Sequence, residues 1–126
     1  MPIRLLVVDD HPLVRDTLAG ALGRSPLVDV VGVACDGAEA VDAAVRLLPD
    51  VVLMDLVMPV LDGAEATRRL LALRPGIRVV VLTSAVGGRL ERAALNAGAA
   101  TILHKDTGID AVLDAVVAGS PGGANP

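Results

Sequence analysis

Five polar side chains that suit phosphoryl and metal chemistry follow short apolar runs in this chain. They are Asp9, Asp10, Asp55, Thr83 and Lys105. Carboxylates bind hard divalent cations. A hydroxyl and an ammonium group can hold and neutralise the oxygens of a phosphoryl group. Together, the five groups would form a site for a divalent cation and a phosphoryl group side by side.

The apolar runs that precede these side chains predict how they are positioned. Runs of Val, Leu and Ile such as Leu5–Val8, Val51–Met54 and Val79–Leu82 are typical of buried parallel strands. Open α/β sheets gather their binding groups at the carboxyl ends of such strands. We therefore expect the five side chains to share one edge of a sheet, although each one taken singly is equally typical of a strand end, a turn or a surface.

Strand-like and helix-like segments alternate along the whole chain. The strands are expected at about residues 3–9, 29–34, 51–55, 78–83 and 101–104. The helices are expected to begin near Pro12, Ala38, Gly63, Arg89 and Thr107. This alternation predicts an α/β fold, a single-domain doubly wound five-stranded parallel sheet with right-handed crossovers and helices on both faces.

The spacing of apolar residues also predicts which helix faces are buried. On the second helix the buried residues are expected to be Val41, Ala44, Val45 and Leu48. On the third they are expected to be Gly63, Ala66, Thr67 and Leu70, and on the fifth Ile109, Val112, Leu113 and Val116. Thr107–Asp110 resembles a capping box at the start of the fifth helix.

Composition excludes several classes of protein. The 126 residues predict one folded domain over residues 1–119, with a flexible tail or truncated linker over residues 120–126. A net charge of −4 and the absence of Phe, Tyr and Trp argue against direct nucleic-acid binding. The apolar runs are too short to span a membrane, and no secretory signal is expected. The single cysteine, Cys35, fits a reducing, cytoplasmic location and is expected to be an inert thiol.

The three carboxylates indicate a cation. Two carboxylates about 4 Å apart repel each other by roughly 4 kcal/mol at an effective dielectric constant of about 20, and a divalent ion relieves that repulsion. An all-oxygen ligand set favours Mg²⁺, with Mn²⁺ or Ca²⁺ as substitutes, over Zn²⁺. Asp55 should end a central strand and is the best candidate for a nucleophile that forms an acyl phosphate. His11 is interpreted as a first-turn helix residue in preference to a metal ligand or phosphodonor.

The ordered set of motifs resembles the receiver domains of response regulators, from Ile3 to about Gly119. The segments that carry the resemblance are Val7-Val8-Asp9-Asp10-His11-Pro12, Val52-Leu53-Met54-Asp55 through Asp62-Gly63, Val81-Leu82-Thr83-Ser84, and Ala97-Gly98-Ala99 up to Lys105. The Asp-Asp-His-Pro opening and Lys105-Asp106 are similar to the NarL/FixJ subgroup. The resemblance implies a flavodoxin-like strand order of 2-1-3-4-5.

The resemblance also implies a role for each site residue. Asp55 would be the phosphoacceptor, and Thr83 and Lys105 would bind the phosphoryl oxygens. Asp10 and Asp55 would bind Mg²⁺ through their side chains, Asp9 largely through water, and Val57 through its backbone carbonyl. The protein would then be a two-component switch and not a turnover enzyme. A histidine kinase would be its donor, and phosphorylation would favour a homodimer or a C-terminal DNA-binding output.

Two departures from the family pattern keep an alternative open. Ile102 stands where the family usually has Phe or Tyr, and Val60 stands where glycine usually follows the Met-Pro dipeptide. A β-branched residue tolerates positive φ poorly, so the loop beside Asp55 is expected to be reshaped. The alternative is a degenerate receiver that acts as a phosphorylation-independent interaction module. A phosphatase of the haloacid-dehalogenase type is disfavoured, because that family places Asp-x-Asp after its first strand.

Overall fold

The computed structural model describes residues 1–84 and 88–118, and the expected tail at residues 120–126 lies outside this part of the chain. Its strands are β1 (Ile3–Val8), β2 (Val28–Ala34), β3 (Val51–Met54), β4 (Arg78–Thr83) and β5 (Thr101–His104). Its helices are α1 (Pro12–Gly23), α2 (Gly37–Leu47), α3 (Gly63–Leu73), α4 (Gly88–Ala97) and α5 (Ile109–Val117). The predicted alternation of strands and helices is confirmed.

All five strands pair in parallel in the order β2-β1-β3-β4-β5, which confirms the flavodoxin-like α/β fold. The order reverses between β1 and β3, so the chain first adds β2 on one side and then adds β4 and β5 on the other. In open α/β sheets this reversal creates a crevice at the carboxyl ends of the strands. Asp9 and Asp55 follow the two strands that flank the reversal.

Alternate residues of the central strands pack into two apolar layers. Leu6, Val52 and Val81 belong to the layer under α2, α3 and α4. Leu5, Leu53 and Val80 belong to the layer under α1 and α5. Because β1, β3 and β4 are covered on both faces, their side chains form apolar runs and not an alternating pattern.

The buried face of α2 differs from the prediction. Gly37, Ala40, Ala43 and Ala44 face the sheet, whereas Val45 is 59% exposed and Leu48 is 55% exposed. Small residues allow the helix axis to lie close to the sheet, and this turns the larger side chains outward. The prediction that Val45 and Leu48 are buried was therefore wrong.

The third helix confirms its prediction, and the fifth departs from it in two places. The buried residues of α3 are Gly63, Ala66, Thr67 and Leu70. The N-cap of α5 is Gly108, which makes no side-chain cap hydrogen bond, so the capping-box prediction at Thr107–Asp110 was wrong. Ile109 is 41% exposed and was wrongly predicted to be buried, because it occupies the first position of the helix, outside the turn that packs on the sheet. Among the described helices, none has the length and apolar character needed to cross a membrane.

Candidate functional site

The ends of four neighbouring strands bring the predicted site residues to one edge of the sheet. We call this the carboxyl edge, formed by Asp9, Asp10, Asp55, Thr83 and Lys105. The parallel ladder continues past the strands. The Asp9 N–H donates to the carbonyl of Ala34 at 3.1 Å, that of Asp55 to Val8 at 3.3 Å, and that of Lys105 to Thr83 at 2.9 Å. The backbone is therefore fixed where these side chains leave the sheet.

Lys105 joins two carboxylates that are 50 and 96 residues away in sequence. Its Nζ donates to Asp9 Oδ2 at 2.8 Å and to Asp55 Oδ2 at 3.0 Å. The side chains of Asp9 and Asp55 are only 3% and 5% exposed. An ammonium group in this position offsets part of the repulsion between the two carboxylates.

The contacts of Lys105 and Asp9 shift the pKa of both residues. Burial favours a lower pKa for Lys105, but its hydrogen bonds to Asp9 and Asp55 outweigh burial and raise the pKa above its ordinary value. Burial favours a higher pKa for Asp9, but the hydrogen bonds from Lys105 and from the His11 backbone N–H outweigh burial and lower the pKa. Both groups therefore carry their charges near neutral pH.

The remaining oxygens of the cluster face His11. Asp9 Oδ1 accepts a hydrogen bond from the His11 backbone N–H at 2.9 Å and lies 3.2 Å from His11 Nδ1. Asp10 Oδ1 also lies 3.2 Å from His11 Nδ1. One ligand atom from each of Asp9, Asp10, His11 and Asp55 lies within 4.8 Å of the others. The side chain of His11 is thus part of the cluster, although the residue was interpreted as an ordinary helix residue.

Asp55 is held by backbone groups on the side away from Lys105. Its Oδ1 accepts hydrogen bonds from the N–H groups of Leu56 at 2.7 Å and Val57 at 3.4 Å. Gly63 supports this loop, because its N–H donates to the carbonyl of Leu56 at 2.9 Å. A Cβ atom at position 63 would lie only 2.5 Å from the carbonyl oxygen of Asp55, so glycine is required for this approach.

Thr83 and Lys105 border the same cavity at the carboxyl edge. The cavity has a volume of about 230 Å³, and Ser84, His104 and Asp106 complete its lining. Thr83 itself is fully buried. A group bound beside Lys105 would therefore have room on the side of Thr83.

The donor atoms of the carboxyl edge fit a hard divalent cation. Asp10 Oδ1 is a buried carboxylate oxygen with no hydrogen-bond partner among the described residues, since its contact with His11 lacks hydrogen-bond geometry. A buried acceptor of this kind is costly unless something pairs with it. A cation among Asp9, Asp10 and Asp55 would supply that partner.

The two departures from the family pattern have clear structural outcomes. Ile102 is partly buried and packs against the apolar layer under α2, α3 and α4. Val60 takes the positive φ that its position demands, at 70°, with its side chain 80% exposed. The loop therefore keeps a left-handed residue at this position in spite of the β-branched side chain.

A second group of possible metal ligands lies away from this edge, after β2. Cys35 Sγ donates to Glu39 Oε2 at 3.1 Å, and Asp36 caps α2 by accepting from the Glu39 N–H at 2.8 Å. The hydrogen bond to Glu39 raises the pKa of the Cys35 thiol above its ordinary value. This supports the prediction of an unreactive thiol.

Comparisons with known proteins agree with this geometry. The model of the response regulator receiver domain matches residues 5–117. The transcriptional regulatory protein LiaR of Bacillus subtilis (strain 168) is 42% identical over 120 residues, which are 95% of this chain and 57% of LiaR. Protein-glutamate methylesterase/protein-glutamine glutaminase 2 of Methanosarcina acetivorans is 43% identical over 112 residues, which are 86% of this chain and 31% of that protein.

A solved structure gives the same result in three dimensions. The signal receiver domain of the response regulator NarL from Mycobacterium tuberculosis superposes with a TM-score of 0.83 at 38% identity, covering 91% of this chain and 96% of that one. The chain spans 57% and 31% of the two relatives above, so it corresponds to a part of each. This chain belongs to the response regulator receiver domains of two-component systems, and to those of NarL/FixJ-like type.

Proposed function

We propose that Asp55 is the phosphoacceptor of this receiver domain and that a sensor histidine kinase is its donor. Acceptance of a phosphoryl group is general to the family. The observation that carries the proposal for this chain is the bridge from Lys105 Nζ to Asp9 Oδ2 and Asp55 Oδ2. It holds a buried carboxylate next to a cation that can follow the charge when the carboxylate reacts.

The transfer step follows from this arrangement. A carboxylate oxygen of Asp55 attacks the phosphorus atom of the donor. The new O–P bond forms as the P–N bond of phosphohistidine breaks, and its electron pair returns to the imidazole of the donor. Lys105 then exchanges its contact with the Asp55 carboxylate for a phosphoryl oxygen, which carries more negative charge. The Thr83 hydroxyl donates a hydrogen bond to a second phosphoryl oxygen.

A divalent cation is part of the proposal, with Mg²⁺ the favoured ion and Mn²⁺ or Ca²⁺ as substitutes. Asp9, Asp10 and Asp55 would hold it with the backbone carbonyl of Val57, and the unpartnered Asp10 Oδ1 supports this assignment. When bound, the ion neutralises charge on the phosphoryl oxygens during transfer. The chain's own residues orient the nucleophile and exclude water from it.

We further propose that the receiver spans residues 1–119 and that residues 120–126 are a tail or linker. The match to LiaR, named a transcriptional regulatory protein, supports a C-terminal DNA-binding output. We also propose that phosphorylation favours a homodimer. The match to the methylesterase covers 31% of that protein and does not assign its activity to this domain, which we propose is not a turnover enzyme. A cytoplasmic location fits the free thiol of Cys35.

Mass spectrometry after incubation with acetyl phosphate tests the proposal directly. The wild-type chain should gain the mass of one phosphoryl group in the presence of Mg²⁺, and an excess of EDTA should prevent the gain. Asp55→Asn should gain none. Asp42→Asn, which changes an exposed carboxylate on α2, should behave as the wild type.

The results of these experiments distinguish the proposed phosphoacceptor from the alternative, a degenerate receiver. Equal phosphorylation of Asp55→Asn and wild type would contradict the assignment of Asp55. A wild-type chain that takes up no phosphoryl group, from acetyl phosphate or from a phosphorylated histidine kinase, would favour the degenerate receiver that acts only through protein contacts. Light scattering on the same samples would report whether phosphorylation dimerises the chain.

A further inference from the structure

His104 borders the cavity at the carboxyl edge together with Thr83 and Lys105, the two residues that are proposed to bind the phosphoryl oxygens. The cavity has a volume of about 230 Å³. A water molecule takes up about 30 Å³ in the liquid, so the cavity has room for one beside a bound phosphoryl group. An imidazole in this place can take a proton from such a water molecule near neutral pH.

Strand pairing places His104 directly beside Thr83. The two residues are partners across the parallel pair of β4 and β5, and neighbouring strands lie about 4.8 Å apart. Two residues earlier on each strand, Val81 and Ile102 pack in the apolar layer under α2, α3 and α4. Side chains two residues apart on a strand point to the same face of the sheet. The imidazole and the hydroxyl group therefore leave the sheet side by side.

A carboxylate of α4 faces the imidazole. His104 Nε2 lies 3.5 Å from Glu91 Oε1, and the side chain of Glu91 is 29% exposed. A carboxylate in this position keeps the proton of the neutral ring on Nε2 and leaves Nδ1 as a proton acceptor. It also stabilises the imidazolium that forms when Nδ1 takes up a proton. The pair thus has the arrangement of a general base and the group that orients it.

The fold does not depend on this pair. The side chain of His104 is 50% exposed, and ion pairs with this degree of exposure add little to stability because water screens the charges. The contact of α4 with the apolar layer instead uses Ala94, which is fully buried. Substitutions of His104 or Glu91 should therefore leave the domain folded.

We propose that His104 is a catalytic residue for hydrolysis of the acyl phosphate, so that the domain limits the lifetime of its own phosphorylated state. This inference rests on the proposed function, in which Asp55 carries the phosphoryl group. His104 Nδ1 takes a proton from a water molecule in the cavity, and Glu91 orients the ring. Thr83 and Lys105 hold the phosphoryl oxygens during the step.

The hydrolysis returns Asp55 to its free carboxylate. The oxygen atom of the water molecule attacks the phosphorus atom and forms a new O–P bond. The bond between phosphorus and the Asp55 oxygen breaks, and its electron pair returns to the Asp55 carboxylate. The water molecule gives one proton to His104 Nδ1 and keeps the other, so that hydrogen phosphate leaves. The imidazolium of His104 then passes its proton to solvent.

The half-life of the phosphorylated chain tests the inference. Each protein is phosphorylated with acetyl phosphate and Mg²⁺, the donor is removed by desalting into the same Mg²⁺ buffer, and intact mass spectrometry follows the loss of the phosphoryl group. His104→Gln should lengthen the half-life by about tenfold or more, less than the ~100-fold typical of a general base because the transition state is loose. Glu91→Gln should lengthen it by a smaller factor, because the neutral amide no longer stabilises the imidazolium. Asp42→Asn, which changes an exposed carboxylate on α2, should match the wild type.

The pH dependence of the hydrolysis gives an independent signature. The charged groups near the imidazole are Glu91 on α4 and, in the turn after β5, Lys105 and Asp106. The wild-type rate should rise between about pH 5 and pH 8, as the imidazole loses its proton and becomes a base. His104→Gln should lose this rise, although it retains His11, the other histidine of the chain. A purely structural role of His104 would change the rate by the same factor at every pH.

The outcomes separate this inference from the proposed function. An unchanged or shorter half-life in His104→Gln, or a rise of its rate with pH like that of the wild type, would overturn the inference while the phosphorylation of Asp55 stands. If the wild-type chain takes up no phosphoryl group, the proposed function fails and the inference fails with it. A longer half-life together with a flat pH profile supports both.

Discussion

At the carboxyl edge three carboxylates meet one ammonium group and one imidazole, whereas at the opposite edge of the sheet charged side chains are matched to neutral partners. We call this opposite side the amino edge, formed by Arg4, Asp50 and Arg74. Arg4 Nη2 donates to the carbonyl of Leu47 at 2.5 Å, and Asp50 Oδ2 accepts from the backbone N–H of Arg4 at 2.9 Å. Arg74 donates to the carbonyl of Pro49.

The amino edge illustrates how charge is used for stability. Carbonyl groups at the end of a helix lack partners within the helix, and basic side chains near that end can bond them. Arg4 and Arg74 do this for the end of α2 and the loop that follows it. Each of these contacts of Arg4, Asp50 and Arg74 joins a donor to an acceptor, and none brings like charges together.

The carboxyl edge instead has more carboxylate acceptors than hydrogen-bond donors to pair with them. Asp10 Oδ1 is left without a hydrogen bond, and Asp9 and Asp55 share a single ammonium group. Local conflicts of this kind are expected at functional sites, where the missing partner is a ligand. A lone unpartnered atom does not mark the site, because Nε of Arg78, at the start of β4, is also buried without a hydrogen-bond partner. The comparison teaches that the site is where several like charges converge on too few partners.

We expect the largest difference in stability between the two edges from substitutions of two glycines near the ends of α3. Gly63→Ala should lower the free energy of unfolding by about 2 kcal/mol, because its Cβ would press on the carbonyl oxygen of Asp55 and the rigid loop must shift. Gly76→Ala, at the amino edge, should be close to neutral, since a Cβ there meets no described atom within 4 Å. Urea denaturation followed by circular dichroism measures both changes. Equal losses in the two variants would show that the carboxyl edge is no tighter than the amino edge.

A second and smaller effect concerns the pH dependence of stability at the two edges. The folded-state pKa of Asp9 lies below its ordinary value of 3.8, so its stabilisation is present above pH 3.8 and is lost as the pH falls through the lower folded value. The folded-state pKa of Lys105 lies above 10.5, so its stabilisation is present below pH 10.5 and is lost as the pH rises through the higher folded value. Lys105→Met should therefore lower the melting temperature at pH 7, and this cost should become smaller as the pH falls below 3.8.

The matched control is Arg4→Met at the amino edge. Its lost hydrogen bonds go to the carbonyl groups of Leu47 and Leu48, which do not titrate. The difference in melting temperature between Arg4→Met and wild type should therefore stay nearly constant between pH 3 and pH 7. Melting curves recorded by circular dichroism at both pH values make the comparison. If the cost of Lys105→Met were also independent of pH, the pairing of Lys105 with Asp9 would not govern the stability of the carboxyl edge.

Most of the fold could be predicted from the sequence, because the apolar runs show which polar residues follow which strand. Thr83 ends β4, and three further site residues directly follow β1, β3 and β5, namely Asp9, Asp55 and Lys105. Parallel pairing brings these strand ends together. Patterns could not tell that Lys105 would bond two carboxylates. That contact depends on the distance across three strands, which no local spacing encodes.

The differences between prediction and structure share one physical origin, which is how side chains pack against a neighbouring element. Val45 and Leu48 fit the periodicity of a buried face, but the alanines of α2 pack closer to the sheet and displace them. The contact of the His11 side chain with the two aspartates was not predicted, because a residue ahead of a helix can turn its ring either to solvent or to its neighbours. The signal that was available is its place directly after two aspartates.

The smallest expected effect comes from backbone strain, since each edge has, among the residues that the structure describes, one residue other than glycine at positive φ. Val60, beside the carboxyl edge, has φ 70°, and Leu48, at the amino edge, has φ 51°. A β-branched side chain tolerates this region less well than Leu does. Val60→Gly should raise the free energy of unfolding by about 1 kcal/mol. Leu48→Gly should gain less, because Leu48 also loses contacts in the cavity that it lines with Val45 and Leu73.

Chemical denaturation of the two variants in parallel decides whether the strain is specific to the carboxyl edge. A larger gain for Val60→Gly would mean that this edge retains a strained residue in the loop that follows Asp55, where replacement by glycine relieves it. Equal gains in the free energy of unfolding would mean that positive φ has the same backbone cost at both edges. A loss of stability in Val60→Gly would contradict the assignment of strain, because a side chain that is 80% exposed has little packing to lose.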